Sequence, residues 1–142
     1  VTLDAPISIG AGTFLSITGE DDLAEVEGGL TRLFDVSPGG GLTLTQMKLS
    51  NGNAENGGAI TSSLATLTLD SCVFENNVAS TGDGGAVWAK GGNVTIVGGE
   101  FLGNAAHRNG GAVYAIDASM SIAGGTTLEG NQAVEGGAVY CG

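Results

Sequence analysis

The phrase Gly84-Gly85-Ala86-Val87 is one of four similar copies, which follow one another at intervals of 27, 26 and 26 residues. Before each copy lie short runs in which apolar and polar residues alternate, such as Leu67-Thr68-Leu69. Such alternation is typical of strands, and self-similarity at this period indicates a solenoid. The copies are Gly57-Gly58-Ala59-Ile60, Gly84-Gly85-Ala86-Val87, Gly110-Gly111-Ala112-Val113 and Gly136-Gly137-Ala138-Val139.

Each repeat of about 26 residues holds three short strand-like pieces, which bury their apolar faces only by stacking on neighbouring repeats. We therefore predict an all-β fold, a right-handed parallel β-helix of about five coils with three short strands each. Residues 1–142 form a single β-helix domain in this prediction. Within it, residues 1–41 supply degenerate N-terminal coils and residues 42–142 supply the regular repeats.

The alternation also predicts which side chains face the interior of the first two strands. Their apolar residues point inward, and hydroxyl residues such as Thr68 and Thr95 form a column outside. The predicted inward residues are Leu42, Leu44, Leu67, Leu69, Val94, Ile96, Met120 and Ile122 in the first strand, and Met47, Leu49, Cys72, Phe74, Phe101 and Leu128 in the second.

The third strand is open to two interpretations. Either the residue after each Gly-Gly-Ala faces the interior, or the alanine does, together with large aromatic residues. We favour the first, since β-branched residues suit a narrow interior and stacked aromatic rings would crowd it. The aromatic column outside is then a candidate binding strip, or else a cross-strand ladder that only stabilises the sheet. Its members are Trp88, Tyr114 and Tyr140.

An asparagine follows the inward residue of the second strand by three positions in three successive coils. Asparagine tolerates turn conformations and bonds to backbone groups there, so we predict a structural ladder of stacked amides. The ladder consists of Asn77, Asn104 and Asn131.

Asn93-Val94-Thr95 is an N-glycosylation sequon. It lies at a predicted turn just before a strand. Asn93 is therefore a candidate glycosylation site if the source is eukaryotic.

Composition excludes several classes of function. The 27 Gly, without a three-residue period and with only 2 Pro, mark turns and not collagen. A net charge of -11 argues against nucleic acid as a partner, because no basic patch could displace counterions. No apolar run reaches the roughly 18 residues of a membrane span. No cofactor, metal or phosphate motif is visible, and we predict none.

The densest charge cluster runs from Glu20 to Glu27. A calcium site would need several of its oxygens to converge on one point. The run matches no EF-hand loop, so we favour a solvated turn over a cation site.

The two cysteines, Cys72 and Cys141, fall in different strands of coils two periods apart. Strands two steps apart are separated by about 10 Å, which is beyond disulfide reach. We predict two buried free thiols, since unpaired cysteine usually behaves as an apolar residue.

The alternation of Gly-Gly-Ala-Ile/Val with Phe-x-x-Asn, seen in Phe74…Asn77 and Phe101…Asn104, resembles the repeats of chlamydial polymorphic outer-membrane proteins. Arg32-Leu33-Phe34-Asp35-Val36 is similar to the coil that leads into such repeats. The resemblance covers roughly residues 32–142. It implies a right-handed β-helix that is secreted or displayed on the cell surface, and relatives with an assigned role are mostly adhesins.

We therefore expect an extracellular structural or adhesive module without enzymatic activity. The alternative is a carbohydrate-binding or carbohydrate-processing β-helix similar to pectate lyases. Against catalysis, Arg32, Lys48, Lys90, His107 and Arg108 lie on scattered parts of different coils. The chain begins and ends in strand-like sequence, so we expect a piece of a longer protein or a subunit that stacks end to end into a filament. A cell-surface or polysaccharide ligand is a further candidate partner.

Overall fold

The computed structural model describes residues 1–20 and 23–142. Its strands are parallel and stack as a β-solenoid of about five turns, with about 26 residues between equivalent positions. The prediction of an all-β solenoid is therefore confirmed. Pairing between strands one coil apart satisfies the backbone of each short strand, which has no partner within its own repeat.

The strands form three sheets that run along the solenoid. The largest, sheet 1, contains β2 (Ile7–Ile9), β3 (Phe14–Thr18), β5 (Phe34–Val36), β6 (Gly41–Thr45), β9 (Ile60–Asp70), β12 (Val87–Val97), β15 (Val113–Ile116), β16 (Ser119–Ala123) and β18 (Val139–Cys141). Sheet 2 contains β1 (Thr2–Leu3), β4 (Ala24–Gly28), β7 (Met47–Ser50), β10 (Val73–Glu75), β13 (Glu100–Leu102) and β17 (Thr127–Glu129). Sheet 3 contains β8 (Asn53–Ala54), β11 (Val78–Ala79) and β14 (Ala105–Ala106).

The register places equivalent residues of successive repeats side by side. Phe74 pairs with Leu49 on one side and with Phe101 on the other. The degenerate region keeps the same spacing, since Leu15 pairs with Leu42 across β3 and β6. The repeat therefore extends through residues that lack the Gly-Gly-Ala phrase.

The strand count per coil differs from the prediction in two ways. The third strand of one coil continues into the first strand of the next, so that β9 and β12 are single strands of 11 residues. The bends within them lie at Leu64 in β9 and at Gly91-Gly92 in β12, all with positive φ. The short strands of sheet 3 were not predicted, because two residues are too few to show alternation.

The interior is apolar along most of its length. The predicted inward residues of the central coils are buried, with exposures of 3% or less from Leu42 to Phe101. The rings of Phe74 and Phe101 stack with centroids 4.7 Å apart and an interplanar angle of 5°. Neighbouring coils thus contact each other through matching side chains, which favours one register.

Both candidate columns of the third strand face the interior. Val87 and Ala86 are each fully buried, and so are their counterparts in the coils on either side. The carbonyl of Ala86 accepts the N–H groups of both Ala59 and Ile60, as in a β-bulge, so two successive residues turn inward together. The favoured interpretation was correct for the valine column, and its exclusion of the alanines was wrong.

The two glycines of the phrase are required for different reasons. Gly84 has a φ of 68°, which only glycine adopts without strain. A Cβ at Gly85 would collide with the backbone oxygen of Gly111 in the next coil. The phrase therefore marks a point where consecutive coils approach too closely for a side chain.

The last described coil is more exposed than predicted. Leu128 pairs with Phe101 and faces inward, yet it is 36% exposed. Cys72 and Cys141 are both free, as predicted, but only Cys72 is buried. Since β17 and β18 have a neighbouring strand on one side only, the residues of this coil lack one layer of contacts.

Candidate functional site

The asparagines of the repeat form a continuous hydrogen-bonded column, here called the inner column (Asn77, Asn104 and Asn131). The Nδ2 of Asn77 donates to the Oδ1 of Asn104 at 3.0 Å, and the Nδ2 of Asn104 donates to the Oδ1 of Asn131 at 2.9 Å. Each Nδ2 also donates to a second-strand carbonyl one coil back, as in the bond from Asn104 to Phe74 at 2.9 Å. Because Asn77 and Asn104 are fully buried, these bonds replace all contact with water.

A second column, not predicted from the sequence, lies at the turn immediately before the Gly-Gly-Ala phrases. This turn column consists of Asn56, Asp83 and Asn109. The backbone N–H of Asp83 donates to the Oδ1 of Asn56 at 2.9 Å. The Oδ1 of Asp83 in turn accepts the backbone N–H of Asn109 at 3.0 Å and its Nδ2 at 2.8 Å. The recurrence of Asn or Asp directly before Gly-Gly-Ala is the signal that could have revealed this column.

The aromatic strip lies on the outer surface of sheet 1. Trp88 pairs in register with Tyr114, and Tyr114 pairs with Tyr140. The two tyrosine rings stack with centroids 5.2 Å apart and an interplanar angle of 14°. All three side chains are half-buried, so one face of the column stays open to solvent.

A groove of about 300 Å³ joins the aromatic strip to the turn column. Trp88 and Tyr114 line it together with Asp83 of the turn column. Burial raises the pKa of Tyr114, and the nearby carboxylate of Asp83 raises it further. Lys90 and Arg108 also line the groove, so it combines an aromatic wall with hydrogen-bond donors and acceptors.

The acidic cluster of residues 20–27 contacts side chains of the neighbouring coil through Glu25. Asp21 and Asp22 lie outside the described residues. Glu25 accepts a hydrogen bond from Ser50 at 2.8 Å and pairs with Lys48 at 3.3 Å, and Lys48 also contacts Glu75 at 2.9 Å. These partners lower the pKa of Glu25, with Ser50 as the largest cause, and raise that of Lys48, with Glu75 as the largest. Within residues 1–20 and 23–142, no group of three or more His, Cys, Asp or Glu could hold a metal ion.

The sequon lies within a strand and not at the predicted turn. Asn93 is part of β12, between Thr66 of β9 and Ser119 of β16. Its side chain is exposed on the outer surface, while Val94 beside it is buried. The groove and the sequon therefore occupy different parts of sheet 1.

These features define a class of protein: a parallel repeat scaffold with an amide-bonded interior and an elongated outer surface. The Chlamydia polymorphic membrane protein repeat matches residues 71–90, 98–116 and 125–142. Three segments of the second half of the chain therefore match this repeat, and there the resemblance seen in the sequence is confirmed. No curated protein and no solved structure matches the chain. In the part of the chain that the structure describes, no helix is long and apolar enough to cross a membrane.

Proposed function

We propose that this chain is an extracellular adhesive module, displayed at the cell surface, that contacts its partner through the groove and the aromatic strip. The observation that carries the proposal is the position of Trp88 and Tyr114, half-buried beside a groove on a surface built from polymorphic membrane protein repeats. Aromatic side chains at a surface supply a large contact area with little loss of side-chain entropy.

Adhesion can be tested with beads coated with the purified chain and added to cultured epithelial cells. We expect saturable attachment that the soluble chain competes away, and loss of most attachment for the double variant Trp88→Ala, Tyr114→Ala. The matched control is Leu102→Ser, on the outer surface of sheet 2. Attachment no better than that of albumin-coated beads, or equal losses for both variants, would contradict the proposal.

We propose a binding role for the groove and not a catalytic one. The matching repeat is named for a polymorphic membrane protein and not for an enzyme, and the groove residues suit recognition of a ligand without breaking a bond in it. Incubation with polygalacturonate, followed by an assay for new reducing ends and unsaturated products, tests this directly. A rate above background that vanishes in Asp83→Ala would show that the protein is an enzyme.

Self-association along the solenoid axis also stays a proposal. Strands such as β1 and β17 have one neighbour each in the described chain, and a second copy could continue their ladders. The charge of -11 opposes stacking, so raised salt should favour it by screening repulsion. Light scattering of the purified chain at low and high salt tests this, and a monomer at both would exclude assembly by this chain alone.

A further inference from the structure

Asp83 occupies an unusual position for an acid. Its side chain is only 8% exposed and lines the groove between the turn column and the aromatic strip. Its Oδ1 is held by two hydrogen bonds from Asn109. The protein thereby fixes the carboxylate in place, which leaves Oδ2 as the oxygen that can serve a ligand.

The fold alone favours an amide at this position. Asn109 donates both its backbone N–H and its Nδ2 to Asp83, whereas Asp83 donates only its backbone N–H to Asn56. An asparagine at position 83 would keep the acceptor and add the missing side-chain donor, as each amide of the inner column does. An ionised carboxylate cannot donate that hydrogen bond. Stacking of the coils therefore does not explain why position 83 is an aspartate.

The remaining groove residues indicate which kind of ligand fits. The groove offers aromatic surface, hydrogen-bond donors and further acceptors, supplied respectively by Trp88 and Tyr114, by Lys90 and Arg108, and by Glu55 and Asp117. A sugar ring presents an apolar face of C–H groups and a rim of hydroxyls that both donate and accept, which matches this mixture. A charged peptide fits less well, because the three carboxylates of Glu55, Asp83 and Asp117 nearly balance the two cations that line the groove.

We propose that the groove binds a neutral saccharide, with the ring against Trp88, hydroxyl groups donating to Asp83, and Lys90 and Arg108 donating to ring or hydroxyl oxygens. This assignment rests on the proposed adhesive function and names its ligand class. The volume of about 300 Å³ is at the lower end of ligand pockets, which fits one or two sugar units and not a long segment of chain.

Trp88 is the only tryptophan in the chain, so its fluorescence reports directly on the groove. The probes are four neutral oligosaccharides: tetra-N-acetylchitotetraose, mannotetraose, cellotetraose and a β-1,4-galactotetraose. We expect a saturable change with at least one of them, in the roughly millimolar range typical of small polar ligands. Asp83→Asn should weaken that binding by about tenfold or more, because the amide presents an N–H to a hydroxyl donor. Its midpoint of urea unfolding should equal or exceed that of the wild type.

The matched control is Asp70→Asn, which removes an outward acid that is hydrogen-bonded to Ser71 and does not line the groove. The saccharide assignment is overturned if none of the four sugars changes the fluorescence, if Asp83→Asn binds as well as the wild type, or if Asp70→Asn weakens binding equally. A response to tetralysine alone would also overturn it. Bead attachment without any response to the sugars would contradict the saccharide assignment and support adhesion. Sugar binding without bead attachment would support the saccharide assignment and contradict adhesion.

Discussion

The inner column and the turn column run along the same solenoid with the same repeat, yet they accept different side chains. Every member of the inner column is an asparagine, and its central member, Asn104, is fully buried. The turn column has Asp83 at its centre, and this residue opens onto the groove. The difference shows that stacking alone sets the spacing of polar groups, whereas access to solvent or a ligand decides whether a carboxylate can replace an amide.

The largest effect on stability is expected when an acid replaces an asparagine of the inner column. Asn104→Asp should reduce the free energy of unfolding by about 3–5 kcal/mol, because the new carboxylate would face the oxygens of Asn131 and Phe74 without a proton to donate. Burial would raise the pKa of the new carboxyl in the folded state. The loss should therefore be smallest at low pH and grow as pH rises through that pKa.

Urea unfolding at pH 4.5 and pH 8, run on this variant and the wild type, measures both the size and the pH dependence of the loss. Asp83→Asn is the mirror-image control in the turn column and should be neutral or slightly stabilising. Equal losses in the two variants would mean that the columns do not differ in the way described.

A smaller change in the free energy of unfolding is expected from removing one polar atom that has no hydrogen-bond partner in the interior. Ser62 is fully buried, and its Oγ has no hydrogen-bond partner among the described residues. Its neighbour in the next coil, Ala89, has no hydroxyl at the same position. Ser62→Ala should therefore raise the free energy of unfolding by about 1 kcal/mol. Thermal unfolding beside the half-buried control Ser63→Ala checks the value, and destabilisation by Ser62→Ala would show that the hydroxyl has a partner.

The smallest effect on stability is expected for ion pairs whose side chains are partly exposed to water. Lys48 bridges Glu25 and Glu75 across three coils of sheet 2, and Lys48→Met removes both contacts. Exposed pairs contribute little, so the urea midpoint should fall only slightly at low salt. The difference from the wild type should disappear near 1 M salt, where the screening length is about 3 Å. A loss of stability that persists at high salt would show that these ion pairs stabilise the fold in the same way as the buried columns do.

The lowered pKa of Glu25 gives the same contacts a pH signature. A carboxyl whose folded pKa is depressed stabilises the fold above its unfolded pKa, and that stabilisation is lost as pH falls through the folded value. The gap between wild type and Lys48→Met should therefore narrow in acid. A difference in stability between the two proteins that stays constant with pH would show that Glu25 does not cause it.

The repeat could be read from the sequence because it rests on local features. Gly84 and Gly85 are dictated by a backbone conformation and by the close approach of the next coil, and both constraints recur in every repeat. Phe74 and Phe101 alternate with polar residues in the same way as their neighbours. Fold class, period, register and the inward columns of the central coils were therefore predictable.

Properties that depend on contacts between neighbouring coils were not predictable from the sequence. The burial of Ala86 together with Val87 follows from a bulge against the adjacent strand. The groove joins residues from several repeats, such as Glu55, Asp83 and Arg108, whose proximity no single repeat reveals. The repeating scaffold follows from the amino-acid sequence alone, because each repeat contains the residues that fix its own backbone conformation. That three acids, two aromatic rings and two cations line one groove could be seen only in three dimensions, because it depends on how successive coils lie side by side.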